Sequence, residues 1–174
     1  MWLKLDLSGI RLSMRIKNYR KTSEEDWLSV WCKTDFSFVA DKWLNYCEND
    51  GEVFLAREIE DLAKSLDDLL NDRLDAPTEF NCMEPDFNFV LTPKQDVRLN
   101  PKVLYVRPGC EIVDIDMEWK ISFWHDGLTA NYLSVTLDRT DIESLLLYLR
   151  LVMGEVQKTA PEIKVLMDKG IISS

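Results

Sequence analysis

The chain has 174 residues, of which 46% are hydrophobic, enough to bury a core of one domain. It carries 21 Lys and Arg against 31 Asp and Glu, a formal net charge of −10. No dense basic stripe is present, which disfavours nucleic acid as a direct ligand, whereas a basic protein partner suits the acidity through charge complementarity. The N-terminus has charges at Lys4 and Asp6 and no apolar run typical of a signal segment, and no stretch reaches transmembrane length. A cytoplasmic protein is expected, without a membrane partner.

In chain order, Trp2–Leu7 and Ile10–Lys17 alternate apolar and polar residues around Ser8-Gly9, the pattern of paired strands. A polar loop over Asn18–Asp26 leads to a third expected strand, Trp27–Asp35. Phe36–Ala40 then reads as a turn and re-entry, Asp41–Cys47 as another strand, and Glu48-Asn49-Asp50-Gly51 as a turn. Leu55, Ile59, Leu62, Leu66 and Leu69 recur at helical spacing and predict an amphipathic helix over 55–74. Short strands are expected at Phe80–Met83, Phe87–Leu91 and Lys102–Val106, with a polar loop over Thr92–Asn100.

Residues 111–123 give the clearest strand signal. Val113, Ile115, Met117, Trp119, Ile121 and Phe123 share one parity, and Asp114, Asp116, Glu118, Lys120 and Ser122 share the other. His125-Asp126-Gly127 has the chemistry of a hairpin turn, and Asn131–Asp138 is the return strand. Thr140-Asp141-Ile142-Glu143 reads as a capping box opening an apolar helix over 140–154. A second box, Thr159-Ala160-Pro161-Glu162, opens a short terminal helix. The expected organisation is one α+β domain over 1–155 and a tail over 156–174. It has a largely antiparallel sheet of about six to nine strands, two principal helices and a short C-terminal helix. Arg57–Leu62 and Arg139–Leu145 echo each other with one residue inserted. That echo fits either two strands-then-helix halves or convergence on a common helix start.

No nucleophile elbow, zinc-protease, phosphate-loop or dinucleotide motif occurs. His125, the only histidine, sits in turn chemistry. Cys32, Cys47, Cys82 and Cys110 are widely spaced, which fits reduced core thiols better than a metal site or a disulfide scaffold. No cofactor or metal is expected. The candidate protein-binding residues are Asp114, Asp116 and Glu118, successive outward groups about 7 Å apart on a strand, with Trp124 on the same parity as an apolar anchor. The same row also reads as the wet face of a sheet, and Trp124 as a side chain packed under a loop.

Four stretches together resemble the WapI-type immunity proteins, small cytoplasmic bacterial proteins related to those that neutralise polymorphic contact-dependent toxins. They are WLSVWCKTD at 27–35, LAREIEDLAKSLDDLL at 55–70, EPDFNFVL at 84–91, and EWKISFWHDG at 118–127 continued by LSVTLDRTDIESLLLYLRLVMGE at 133–155. The departures are Ala56 where such chains often place a Ser or Thr cap, the long 92–110 segment, and the tail after Gly154. The resemblance implies binding and occlusion of a basic toxin domain rather than catalysis. A small-molecule-binding or hydrolytic enzyme, with a pocket between sheet and helices, is the competing reading.

Overall fold

In a computed structural model, residues 1–23 and 30–174 are described. The start of the expected third strand, Trp27 and Leu28, lies outside them. The first four strands form a meander: β1 (Trp2–Leu7), β2 (Ile10–Lys17), β3 (Trp31–Ala40) and β4 (Leu44–Leu55). Ser8 and Gly9 both take positive φ, 56° and 91°, giving the tight turn that matches strand twist. The Asp6 carboxylate accepts the Gly9 N–H at 2.8 Å and holds it.

β3 and β4 overturn two expected turns. Phe36–Ala40 continues the strand because Phe36 and Phe38 are both buried in the core. Glu48–Gly51 does not reverse the chain either. The β3–β4 register shifts between Cys32 and Phe36, so the turn residues become a bulge, with Asp50 at φ 56°. Leu55 closes β4 and caps α1 (Ala56–Leu70), whose Ile59, Leu62, Leu66 and Leu69 point into the core as their spacing predicts. At the N3 position of that helix, Glu58 accepts the Leu55 N–H at 2.8 Å.

The second half repeats the plan. β5 (Thr78–Asn81), β6 (Phe87–Thr92), β9 (Asp116–Trp124) and β10 (Leu128–Leu137) form another meander, followed by α2 (Arg139–Val152). Between β6 and β9 lie β7 (Gln95–Asp96), a single 3₁₀ turn at Val97–Leu99, and β8 (Ile112–Val113), with β7 and β8 paired in a small ribbon. The expected strand over Lys102–Val106 is irregular. The long strand expected from Glu111 is broken at Asp114-Ile115: β8 pairs with β7, and only from Asp116 does the chain join β6 and β10. The helix start also differs from expectation. Asp138 rather than Thr140 caps α2, its carboxylate accepting the Thr140 and Asp141 N–H groups at 2.8 and 3.0 Å. α3 (Pro161–Asp168) starts from Ala160 without a side-chain cap, with Pro161 in the first turn where its missing N–H costs nothing. β11 (Ile172–Ser173) then pairs with β1.

The chain is thus α+β, with every strand ladder antiparallel. One sheet runs β11-β1-β2-β3-β4 and the other β10-β9-β6-β5. They face each other through aromatic side chains. Trp119, fully buried, meets Phe87 edge-on at 5.0 Å and Phe38 at 5.9 Å between ring centres, and Phe36 and Phe54 lie 5.0 and 5.4 Å from Phe87. α1 packs on α2, and α2 reaches β1, β9 and β10. The buried Tyr148 of α2 accepts the Ile16 N–H at 2.9 Å and donates to the Met1 carbonyl at 3.2 Å. Ile163, Leu166 and Ile172 of the 156–174 segment are buried in the same core.

Candidate protein interface

The outer face of the four-stranded sheet follows from strand alternation. Asp116, Glu118, Lys120, Ser122 and Trp124 of β9 turn away from the core, because Met117, Trp119 and Ile121 turn into it. Register places Thr136 and Val90 beside Glu118, Ser134 and Asn88 beside Lys120, and Tyr132 beside Ser122. Glu118 accepts the Ser134 hydroxyl, and the Lys120 ammonium stands 4.1 Å over the Tyr132 ring. That cation–π contact holds a large exposed ring flat against the sheet.

Of the four residues singled out from sequence, three share this face. Asp116 is half-buried, Glu118 exposed, and Trp124 40% exposed at its end. Asp114 stands apart, before β9 begins. The Arg139 guanidinium grips it through two bonds of 2.9 and 2.7 Å, and its carboxylate also accepts the Ile115 N–H at 2.9 Å. Arg139 and that N–H hold its carboxyl at about 2. The Asp114 charge is therefore matched within the chain.

Trp124 is fixed from several sides. Its backbone N–H meets the Tyr46 hydroxyl at 3.4 Å, and its side chain lies close enough to the Asp86 carboxyl to favour the charged form. The Tyr46 ring lies 4.7 Å from Phe123, so the end of β9 is tied to β4 of the other sheet. Burial pushes the Asp86 carboxyl up, the Trp124 side chain opposes that, and Glu84 and Glu48 add to the rise. The exposed indole thus lies beside Asp86, whose carboxyl in turn feels the charges of Glu84 and Glu48. Leu128 and Tyr132, 51% and 56% exposed, extend the apolar surface along β10. Earlier in the chain, just before Asp114, the 99–113 segment exposes Leu99, Leu104, Tyr105, Ile112 and Val113.

Glu84 and Asp86 have a purely local reading in the sequence, as turn residues about Pro85. Only the β6–β9 pairing, including the 2.9 Å bond from the Ser122 N–H to the Asp86 carbonyl, brings them to Trp124. No local signal marks Glu48 as their neighbour. Tyr132 was legible as an outward residue of the return strand, but its Lys120 partner was not.

The features of an enzyme are weaker. His125 is exposed in the hairpin turn, where its N–H donates to the Gly127 carbonyl at 2.9 Å. A cleft of about 340 Å³ between the helices is lined by Tyr19, Lys21, Glu60, Lys64, Asp67 and Arg150. Its charges are largely spent on each other: Tyr19 donates to Glu60 at 3.0 Å and Arg150 to Asp67 at 2.6 Å. Among the described residues no cluster of His, Cys, Asp or Glu could hold a metal ion, and no helix is long and apolar enough to cross a membrane. The four cysteines are unpaired. Cys32 and Cys82 are buried, with Cys32 pushed up to about 12 by burial, but Cys47 and Cys110 are exposed rather than in the core.

No curated protein and no solved structure matches the chain. A family model described as the immunity protein WapI-like family matches residues 3–155, from β1 to just beyond α2. With most of its length matched, the chain belongs to the WapI-like immunity protein family.

Proposed function

We propose that this protein is a non-catalytic, cytoplasmic immunity protein that binds a basic toxin domain through the outer face of the four-stranded sheet. The observation that carries this is Trp124. A large indole is left 40% exposed at the end of β9, with the Tyr46 hydroxyl on its backbone N–H and the Asp86 carboxyl beside it. A pre-ordered aromatic loses little freedom on binding, and such residues dominate interface energies. Asp116 and Glu118 lie farther along the same strand face and, with Glu48 and Glu84, add negative charge, which speeds encounter with a cationic surface. Asp114 sits at the border of this surface, and its pairing with Arg139 gives it the smallest part. Family membership supports the toxin as partner, and a toxin held against this face is neutralised by occlusion.

The test is stopped-flow association with the cognate toxin at two ionic strengths. Asp116→Asn with Glu118→Gln is expected to slow association and flatten its salt dependence. Trp124→Ala is expected to leave association nearly unchanged and speed dissociation by about 30-fold, the effect of a hot-spot truncation of about 2 kcal/mol. Unchanged kinetics in all of these variants, with native circular dichroism, would overturn the assignment of this face.

A further inference from the structure

The open edge of β10 is unusual for this chain. β10 forms one margin of the four-stranded sheet, and its ten residues, Leu-Thr-Ala-Asn-Tyr-Leu-Ser-Val-Thr-Leu, include no charge, proline or glycine. The margins at β4 and β5 are protected. β4 carries Glu48, Asp50 and Glu52 and two register breaks, and β5 is only four residues long and carries Glu79. Charged residues, bulges and short length are how natural sheets keep their margins from pairing. β10 has one irregularity, between Leu128 and Tyr132, and is regular from Tyr132 to Leu137.

Which main-chain groups are open follows from the ladder. The N–H and C=O of one strand residue point to the same side, and successive residues alternate. The Ser122 N–H donates to the Asp86 carbonyl, so Ser122 faces β6. Met117, Trp119 and Ile121 therefore face β10, where they pair with Leu137, Val135 and Leu133. Tyr132, Ser134 and Thr136 consequently turn their main-chain groups to the open side. Among the described residues, no hydrogen bond reaches those groups from that side.

We infer that this edge pairs with the same edge of a second copy, antiparallel about a two-fold axis at Ser134. In that register Ser134 stands opposite Ser134, and Tyr132 opposite Thr136. Each such pair exchanges two hydrogen bonds, so every open group finds a partner. The inward side chains also match, since Leu133 falls opposite Val135. Charge supports a second copy as the occupant. Two chains of net charge −10 repel over most approaches, and a strand without charged residues lets them meet with no like charges face to face. A two-fold contact is self-complementary by construction, which this strand satisfies in both hydrogen bonding and side-chain size. The product is a continuous eight-stranded sheet, counted as two copies of the four-stranded one.

The experiment uses the purified chain alone, so its outcome is independent of any toxin. Sedimentation velocity over a range of concentrations is expected to show a reversible dimer. Hydrogen exchange is expected to show the Tyr132, Ser134 and Thr136 amides protected at high concentration and open on dilution. Ser134→Pro removes the edge-facing N–H together with the hydroxyl that Glu118 accepts, and Ser134→Lys replaces that hydroxyl with an ammonium that pairs with Glu118 within its own chain but sets two ammonium groups against each other at the axis. Both variants are expected to sediment as monomers with unchanged circular dichroism. A wild-type chain that stays monomeric at every concentration overturns the inference, as does a dimer that survives both substitutions. Amide protection that appears only on adding toxin also overturns it, and assigns the edge to a toxin strand instead.

Discussion

Among the described residues Asp35 is the one charged residue that is buried, and its surroundings show what holds it there. Its carboxylate accepts the Arg15 Nε at 2.9 Å, the Lys17 ammonium at 2.7 Å and the Asp50 backbone N–H at 2.9 Å. Burial alone would raise the carboxyl, but the Lys17, Asp50 and Arg15 donors outweigh it and hold it at about 2. Asp35→Ala leaves two cations and the bulge N–H without their acceptor, and is expected to cost about 3 kcal/mol in urea unfolding at neutral pH. The pH dependence has a definite sign. The folded value lies below the ordinary carboxyl value of about 3.9, so this stabilisation is complete above that pH and is lost as pH falls towards 2. The melting temperature of the wild type should therefore fall more steeply between about pH 4 and pH 2 than that of Asp35→Ala. Parallel curves would mean that the Asp35 carboxyl titrates alike in the folded and unfolded chain, so that its partners do not lower it. Asp114 titrates in the same direction, but it is exposed, so solvent screens most of its share.

Among the elements, α2 shows most clearly what decides a boundary. The capping-box pattern points to Thr140 as the cap, but the helix starts from Asp138, two residues earlier. The strand decides between them. β10 keeps its register with β9 to Leu137, so the first residue free to leave the sheet is Asp138. Asp141, at the third helical position, then reaches back toward the Asp138 N–H at 3.4 Å. Asp138→Ala is expected to lower stability by about 1 kcal/mol with an unchanged urea m-value, whereas Thr140→Ala should cost far less. Equal losses for the two would return the cap to Thr140. The same logic explains why β4 was misread. Glu48-Asn49-Asp50-Gly51 has genuine turn chemistry, and Asp50 does take positive φ. What turns it into a bulge is Asp35 on the neighbouring strand, which binds the Asp50 N–H and keeps the two strands paired. Helix and strand periodicities were legible because they are properties of adjacent residues. The outcome at Asp50 depends on a partner fifteen positions away, which no local pattern encodes.

At the scale of the molecule, the candidate interface was legible only in outline. Parity alone put Trp124 with Asp116 and Glu118, whereas Asp86 comes beside Trp124, and Glu48 and Glu84 near Asp86, through contacts that span both sheets. The larger plan was foreshadowed by the echo between Arg57–Leu62 and Arg139–Leu145. Each copy lies at the start of a helix that follows a four-stranded meander. Among the described residues, β1–β11 is the one strand ladder that joins the first half to the second. Otherwise the halves meet through side chains: the aromatic core, Tyr148 on Ile16, Arg150 on Asp67, and Glu58 on the Met83 N–H.

This separation of backbone pairing from side-chain packing makes the protein a candidate for fragment complementation. Each four-stranded meander pairs its own strands with one another, even where β6 meets β9 across the 93–115 segment, so each can organise before the other is present. A cut in the exposed 71–77 connection, between α1 and β5, severs no strand ladder. The two pieces, co-expressed, are expected to co-purify as a folded complex with native β-sheet circular dichroism. Each alone, with Phe36 and Phe54 or Phe87 and Trp119 uncovered, is expected to aggregate. Failure of the pieces to associate would mean that the halves fold only as one cooperative unit. Success would give a split reporter whose reassembly is driven by a shared aromatic seam rather than by a continuous sheet.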